Sequence, residues 1–345
     1  MRKIITGLKL LPGIVAVKYF GKRVPLFCQW EISYNCNMKC GFCCVNKHKK
    51  IWIPELNTKE AIEVIDQMKE LGTKIINFSG GEPLLRKDIG ILIKHIKKNG
   101  MSAFVSTNGS VLKENANKVM DADVVRISLD NVGREHDKLR NYPNAFRKAL
   151  EGMKELKRRG KKFMIHTVIT RTTDYENLRR LAKLARSFAA QIEYTMALRE
   201  LQTIRDPKPE MFDKEQEKLV PDREKFIGYV KMLKKEFGRT VANPKIYFTM
   251  LRKGGLAGIG CRAMDITISI KPDGNVAMPC SGFPKEVAKG DIRKVWKSEK
   301  AKSVRELQGK YWFCKDCRFR CIGYPSMLVN TRALLSIASS WSGFS

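Results

Sequence analysis

The sequence predicts an α/β protein built on a parallel sheet. Six short apolar runs, at 26–32, 74–78, 102–106, 123–129, 162–169 and 190–197, alternate with helical patterns near 58–71, 87–98, 113–120, 143–159 and 174–188. The helical segments carry apolar residues at three- and four-residue spacing, and Thr58 and Asp174 stand where N-caps belong. Such alternation implies parallel strands joined by right-handed crossovers. Six strand–helix repeats are two short of a closed (β/α)8 barrel. The polar and glycine-rich motifs of the chain also fall at the C-terminal ends of the strands, where such folds place their sites.

Around this core, residues 25–198, lie four further segments. Residues 1–24 mix apolar side chains with six cations and no acid. Pro12 and Gly13 interrupt that segment, and Lys9 and Lys18 leave too short an apolar run to span a bilayer. A helix lying on a membrane surface is the favoured reading, with packing against the core as its competitor. Residues 199–255 read as a charged helical connector, with Asp206-Pro207-Lys208-Pro209 as a linker. Residues 256–325 hold a second cysteine region, in which Ile266–Ile270 and Val276–Met278 flank a Pro272-Asp273-Gly274 turn and read as a hairpin. The tail, 326–345, is apolar with one charge, Arg332, and reads as a docking helix or a second membrane contact.

Composition narrows the class. Apolar residues make up 43% and charged residues 29%, as in an ordinary soluble domain. Of ten cysteines, all but Cys28 are grouped at 36–44 and 261–321 and not spread as a disulfide framework, and no secretory cleavage site follows the first residues. Grouped cysteines of this kind argue for metal in a reducing cytoplasm. The net charge of +31 favours anionic partners. Nucleic acid is disfavoured, because aromatic residues are not interleaved with the basic ones.

The chemistry concentrates in Cys36-Asn37-Met38-Lys39-Cys40-Gly41-Phe42-Cys43. Three thiolates in one short loop can hold three irons of a cubane and leave the fourth iron open to a ligand, while a zinc loop is the alternative on spacing alone. Ser79-Gly80-Gly81-Glu82-Pro83 follows the second strand. Together these motifs resemble the radical S-adenosylmethionine (SAM) superfamily over residues 25–325. The resemblance implies an open, partial (β/α)6 TIM-like barrel. It implies that Cys36, Cys40 and Cys43 ligate a 4Fe–4S cluster whose open iron chelates SAM. Phe42 then lines the adenine side, and Ser79, Gly80, Gly81 and Glu82 meet the methionine end. Ser128 and Asp130, on one face at the end of the fourth strand, meet the ribose and carboxylate, and Asn108 faces the same pocket. The family's glycine-rich motif on the fifth strand is not evident in 165–169. His136 and His166 read as surface or core histidines, and Cys28, Cys44 and His48 receive no role.

Cys261, Cys280, Cys314, Cys317 and Cys321, with the Pro-Asp-Gly hairpin between the first two, resemble the auxiliary-cluster SPASM domain and its shorter relative, the twitch domain. Five cysteines imply one auxiliary 4Fe–4S cluster, with zinc again the alternative. The expected activity is reductive cleavage of SAM to a 5′-deoxyadenosyl radical that abstracts hydrogen from a substrate, as an oxidoreductase or transferase. The electron donor would be of the ferredoxin or flavodoxin kind. No residue is assigned to substrate chemistry. The basic leader and apolar tail favour a membrane lipid or isoprenoid as substrate, with peripheral attachment to the membrane. A peptide-modifying maturase is the runner-up. A non-catalytic iron–sulfur protein is disfavoured by the intact Gly80-Gly81-Glu82.

Overall fold

A computed structural model describes residues 2–43, 54–197, 214–277 apart from 257 and 259, 291–311, 314, 317 and 320–329. Six parallel strands form its centre: β1 (Phe27–Ser33), β2 (Ile75–Gly80), β3 (Ser102–Thr107), β4 (Val124–Ser128), β5 (Met164–Ile169) and β6 (Gln191–Met196). The helices between them are α2 (Thr58–Glu70), α3 (Ile89–Lys98), α4 (Arg134–Arg140), α5 (Ala145–Arg158) and α6 (Tyr175–Ser187). Their apolar stripes, such as Leu92, Ile93 and Ile96 of α3, bury against one face of the sheet with Trp30, Phe78, Val105, Ile127, Ile165 and Ile192. The opposite face carries Gln29, Asn77, Arg126 and His166, which alternation places away from the helices.

Local chemistry moves several boundaries. Asn57, not Thr58, caps α2: its side chain accepts from the Glu60 N–H at 3.0 Å and its own N–H donates to Glu60 Oε2 at 2.8 Å. Asp174 caps α6 as expected, accepting from the Asn177 N–H. The helix expected over 113–120 is only a 3₁₀ turn, Ala116–Val119. Asn115 there bonds the Val111 carbonyl, a side-chain-to-backbone bond that competes with regular helix. α4 was not foreseen, because its polar sequence Arg-Glu-His-Asp-Lys-Leu-Arg lacks an apolar stripe.

The Pro-Asp-Gly hairpin does not stand apart from the barrel sheet. β7 (Thr267–Ile270) pairs in parallel with β1, Trp30 opposite Ile270, and β8 (Val276–Ala277) pairs antiparallel with β7. The strand order is β6-β5-β4-β3-β2-β1-β7-β8. In the turn, Gly274 N–H donates to the Lys271 carbonyl and the Asp273 side chain accepts from the Asn275 N–H. Met278 lies outside the described residues. The connector contains α7 (Lys214–Leu219), α8 (Arg223–Phe237) and α9 (Lys245–Arg252), and beyond it come α10 (Ala263–Ile266), α11 (Ile292–Lys297), α12 (Glu299–Glu306) and α13 (Arg320–Leu328). The linker at 206–209 and the tail from 330 onward lie outside the described residues. Where the tail begins it docks, since Met327, Leu328 and Val329 are buried.

The leader forms α1 (Arg2–Tyr19), which continues through Pro12 instead of breaking there. Leu10, Ile14 and Val17 bury into the main core. Gly13 lies against Leu26, Lys9 Nζ reaches the Gly100 carbonyl at 3.1 Å, and Arg262 Nη2 donates to the Val17 carbonyl at 3.0 Å. Leu26, Gly100 and Arg262 all precede strands, so α1 closes the N-terminal end of the barrel. β1 has seven residues, so this end lies about 20 Å from the end that carries the cysteine loop. No described helix is long and apolar enough to cross a membrane.

Candidate metal and cofactor centre

Three strand ends converge on the cysteine loop. β1 ends at Ser33, and its chain continues directly into Tyr34, Asn35 and Cys36. The end of β2 packs against that segment: the Gly81 N–H donates to the Ser33 carbonyl at 2.7 Å and the Glu82 N–H to the Asn35 carbonyl at 2.8 Å. Gly80 has φ +108°, and a Cβ on Gly81 would sit 2.1 Å from the Asn35 oxygen. Only glycine permits both the backbone angle and the approach. The glycine pair therefore seats the cysteine loop on the sheet.

Glu82 is fully buried, and its carboxylate accepts three hydrogen bonds: from Thr107 Oγ1 at 2.7 Å, the Asn108 N–H at 2.6 Å and the Leu84 N–H at 3.0 Å. Burial pushes its pKa up, and these donors oppose that shift. The carboxylate thus ties the end of β2 to the end of β3. Ser79 Oγ lies 3.4 Å from the Trp30 carbonyl. Asn108 Nδ2 donates to Asn37 Oδ1 at 3.0 Å and lies 3.8 Å from Cys36 Sγ, while its Oδ1 accepts from Ser110. The Met38 N–H also reaches Cys36 Sγ, at 3.4 Å.

Cys36, Cys40, Cys43 and Phe42 gather in one small apolar cluster with Met38, Ala145 and Tyr142. Burial pushes the Cys40 thiol up to about 11, and the Arg140 guanidinium opposes that rise. Arg140 was not singled out in the sequence, yet it is the best-connected charge at the site. Its Nη1 lies 3.9 Å from Cys40 Sγ, and its Nε and Nη2 both meet Asp130 Oδ2 at 2.6 Å. Its guanidinium carbon lies 5.3 Å from the centre of the Phe42 ring. Asp130, fully buried, also accepts the Val168 N–H through Oδ1 at 2.9 Å. Its own N–H donates to His136 Nδ1 at 3.1 Å. His136 is held neutral, its pKa lowered first by burial and then by Arg140. The sequence signal was the spacing His136-x3-Arg140, one helical turn, shortly after Asp130. Ser128 is half-buried on the polar face of β4, opposite His166 of β5.

The donor set fits the implied cluster. Three thiols gather in one cluster, with amide donors at Cys36 and a guanidinium at Cys40, the kind of surroundings that tune a sulfur-ligated cluster. Among the described residues, no three His, Cys, Asp or Glu side chains approach closely enough for one metal ion.

In the second cysteine region, Cys261 precedes α10, and burial pushes its thiol up to about 11, with Cys314 adding to the rise. Cys314 and Cys317 are buried, and a Cβ on Gly255 would meet the Cys317 carbonyl at 2.4 Å. The structure therefore brings Cys261 within electrostatic range of Cys314. Cys280 lies outside the described residues, as do Cys44 and His48, and for Cys321 only the backbone, within α13, is described. Cys28 is a core residue facing the helices.

This geometry agrees with the family comparisons. The model of the radical SAM superfamily matches residues 30–185, and that of the SPASM iron–sulfur cluster-binding domain matches residues 261–318. The chain carries both domains, with a 4Fe–4S cluster and SAM as the cofactors these domains imply. An AdoMet-dependent heme synthase of Oleidesulfovibrio alaskensis is 37% identical over 146 residues, 41% of this chain and 38% of that protein. One from Methanosarcina barkeri is 27% identical over 327 residues, 84% of this chain and 88% of that protein. The matches to the first three relatives span about two fifths of those proteins' length. Among solved structures, Streptococcus suis SuiB bound to S-adenosylmethionine superposes with a TM-score of 0.63 at 17% identity, covering 86% of this chain and 72% of SuiB. Native anSMEcpe with bound AdoMet gives 0.63 at 16%, covering 93% and 96%. These likenesses establish the fold, a partial barrel followed by the iron–sulfur domain.

Proposed function

We propose that the chain binds SAM at an iron–sulfur cluster held by Cys36, Cys40 and Cys43 and uses it to abstract hydrogen from a polar, carboxylate-bearing substrate. The cluster and SAM, when bound, supply the one-electron cleavage and the hydrogen abstraction. The protein's part is to seat the loop through Gly80 and Gly81, to place Phe42 and Arg140 beside Cys40, and to receive substrate at the open end of the barrel.

One observation carries the substrate class: the face of the sheet turned away from the helices is polar and charged. Asn77 Nδ2 donates to Gln29 Oε1 at 2.8 Å, Arg126 Nη1 to Asn77 Oδ1 at 3.0 Å, and His166 Nε2 lies 3.1 Å from Thr195 Oγ1. At the edge, Lys271 Nζ donates to Glu31 Oε1 at 2.5 Å. An isoprenoid chain packed there would strip water from these polar groups and offer them no hydrogen bond in return. The lipid substrate expected from the leader is therefore not supported, and α1 moreover lies at the far end of the barrel. Arg126 and the net charge of +31 suit carboxylates. The relatives named heme synthase and Fe-coproporphyrin III synthase make a tetrapyrrole the first choice.

Reconstituted protein, incubated without oxygen with SAM, dithionite and Fe-coproporphyrin III, should form 5′-deoxyadenosine faster than without the porphyrin and should change the porphyrin's mass. Stimulation only by peptides would replace the tetrapyrrole with a peptide substrate, the kind SuiB is seen with. No stimulation by either would remove the carboxylate reading.

A second reading concerns place, not substrate. The outer face of α1 exposes Leu8 (62%), Leu11 (51%) and Tyr19 (66%), and Phe20 (72%) follows. A helix that is apolar on both sides and carries cations but no acid is suited to an anionic bilayer surface. This supports peripheral attachment through the sealed end, with the site turned away from the membrane.

A further inference from the structure

We infer that Arg140, anchored by Asp130, is a positioning residue that sets the reduction potential of the cluster through Cys40. The inference rests on the assignment of Cys36, Cys40 and Cys43 as cluster ligands and goes beyond it. The three thiols are not equivalent. Cys36 faces neutral donors, the Met38 N–H at 3.4 Å and Asn108 Nδ2 at 3.8 Å. Cys40 faces a full positive charge, Arg140 Nη1 at 3.9 Å, and the same charge acts more weakly on Cys43. That charge sits in a nearly dry place, since the Arg140 and Asp130 side chains are 9% and 0% exposed. A charge there is poorly screened and acts strongly on its neighbours.

Reduction adds one negative charge to the thiolate-ligated cluster. A low-potential donor of the ferredoxin or flavodoxin class loses one electron, the cluster gains it, and no bond forms or breaks. A fixed cation beside one ligand favours the more negative state and so raises the potential. Asp130 works against this in charge but fixes the geometry. Both Nε and Nη2 meet its Oδ2 at 2.6 Å, so the guanidinium cannot swing toward solvent. The fold holds this arrangement from several sides. Val168 of β5 donates to Asp130, His136 accepts its N–H, and Asp137 locks the start of α5 by accepting the Asn144 and Phe146 N–H groups. Aspartate at position 130 therefore serves the ligand site through Arg140, and its carboxylate oxygens are already engaged within the protein.

The test is an anaerobic redox titration of the SAM-responsive cluster signal by electron paramagnetic resonance, with iron counted in each variant. Arg140→Gln should keep its iron yet lower the reduced-to-oxidised ratio at fixed potential about tenfold, equivalent to about 59 mV for one electron. Arg140→Lys, which keeps the charge, should recover most of that ratio. Asp130→Asn should move the ratio the opposite way, because it removes the negative partner and leaves the cation. Opposite signs from two substitutions that break the same ion pair are not expected of simple damage. An unchanged ratio in iron-replete Arg140→Gln overturns the inference. So does a shift of the same sign in all three variants. If Arg140→Gln fails to hold iron, the lysine and asparagine variants still decide by their signs. A wild-type protein with no SAM-responsive signal would instead overturn the cluster assignment itself.

Discussion

The two ends of the barrel are built from opposite chemistry. At the N-terminal end, α1 presses Leu10, Ile14 and Val17 into the core, and the polar contacts there serve mainly to dock the helix. At the C-terminal end, the strands lead into Cys36, Gly81, Asn108 and Asp130, and buried polar groups such as Glu82 and Arg140 hold the loops. One end is closed by apolar burial, which is non-directional and tolerates exchange. The other is held by directional bonds between buried charges, which fail when one partner is removed. The apolar seal and the candidate site thereby lie about 20 Å apart along the strands.

The largest expected effect falls at the functional end. Changing Cys36, Cys40 and Cys43 together to alanine should reduce anaerobically reconstituted protein from about eight irons per chain to about four and abolish SAM cleavage. Stoichiometric zinc in the second cysteine region of protein purified without oxygen would break the expectation of a second cluster.

The next contrast lies within α1. Leu10→Ala should cost about 2–5 kcal/mol in denaturant unfolding. Leu11→Ala, one residue along on the exposed face, should stay within about 0.5 kcal/mol. Equal costs would mean that the leader does not seal the barrel as described. Deleting residues 1–22, which a freely attached membrane helix would survive, should destabilise the barrel.

A smaller effect is a pH slope. His136 is neutral in the folded protein because burial lowers its pKa below 6.5. The unfolded chain takes up a proton as pH falls through 6.5 and the folded one does not. This residue's contribution is therefore fully present above that pH and is lost below it, by at most about 1.4 kcal/mol per unit. His136→Asn, which keeps an acceptor for the Asp130 N–H, should flatten the slope of unfolding free energy between pH 7.5 and 5.5. A slope identical to wild type would show that His136 is not the group responsible.

The smallest effect concerns the outer face of α1. Sedimentation with anionic vesicles at low salt should bring the protein down, each nearby Lys or Arg contributing about 1 kcal/mol, and salt should weaken the binding. Serine at Leu8, Leu11 and Tyr19 should release the protein while iron content and SAM cleavage persist. Indifference of the full-length protein to such vesicles would leave that face with no role at a membrane.

The sequence alone determined the features that are local in the chain. The three cysteines lie within eight residues, the glycine pair ends a strand, and the alternation of apolar runs specifies parallel crossovers. Each is a short-range constraint of spacing, backbone freedom or periodicity, legible without the fold. Arg140 escaped notice because its meaning depends on Cys40, a hundred positions away, and because α4 has no apolar stripe. The hairpin's entry into the barrel sheet depends on β7 pairing with β1, and the Lys271–Glu31 bond spans 240 positions. The leader could be read as core or as membrane helix, since both bury apolar side chains and its composition suits either. Only the packed structure assigned Leu10, Ile14 and Val17 to one face and Leu8, Leu11 and Tyr19 to the other. Contacts of such long sequence separation are made by the closing of the whole sheet, and no local pattern encodes them.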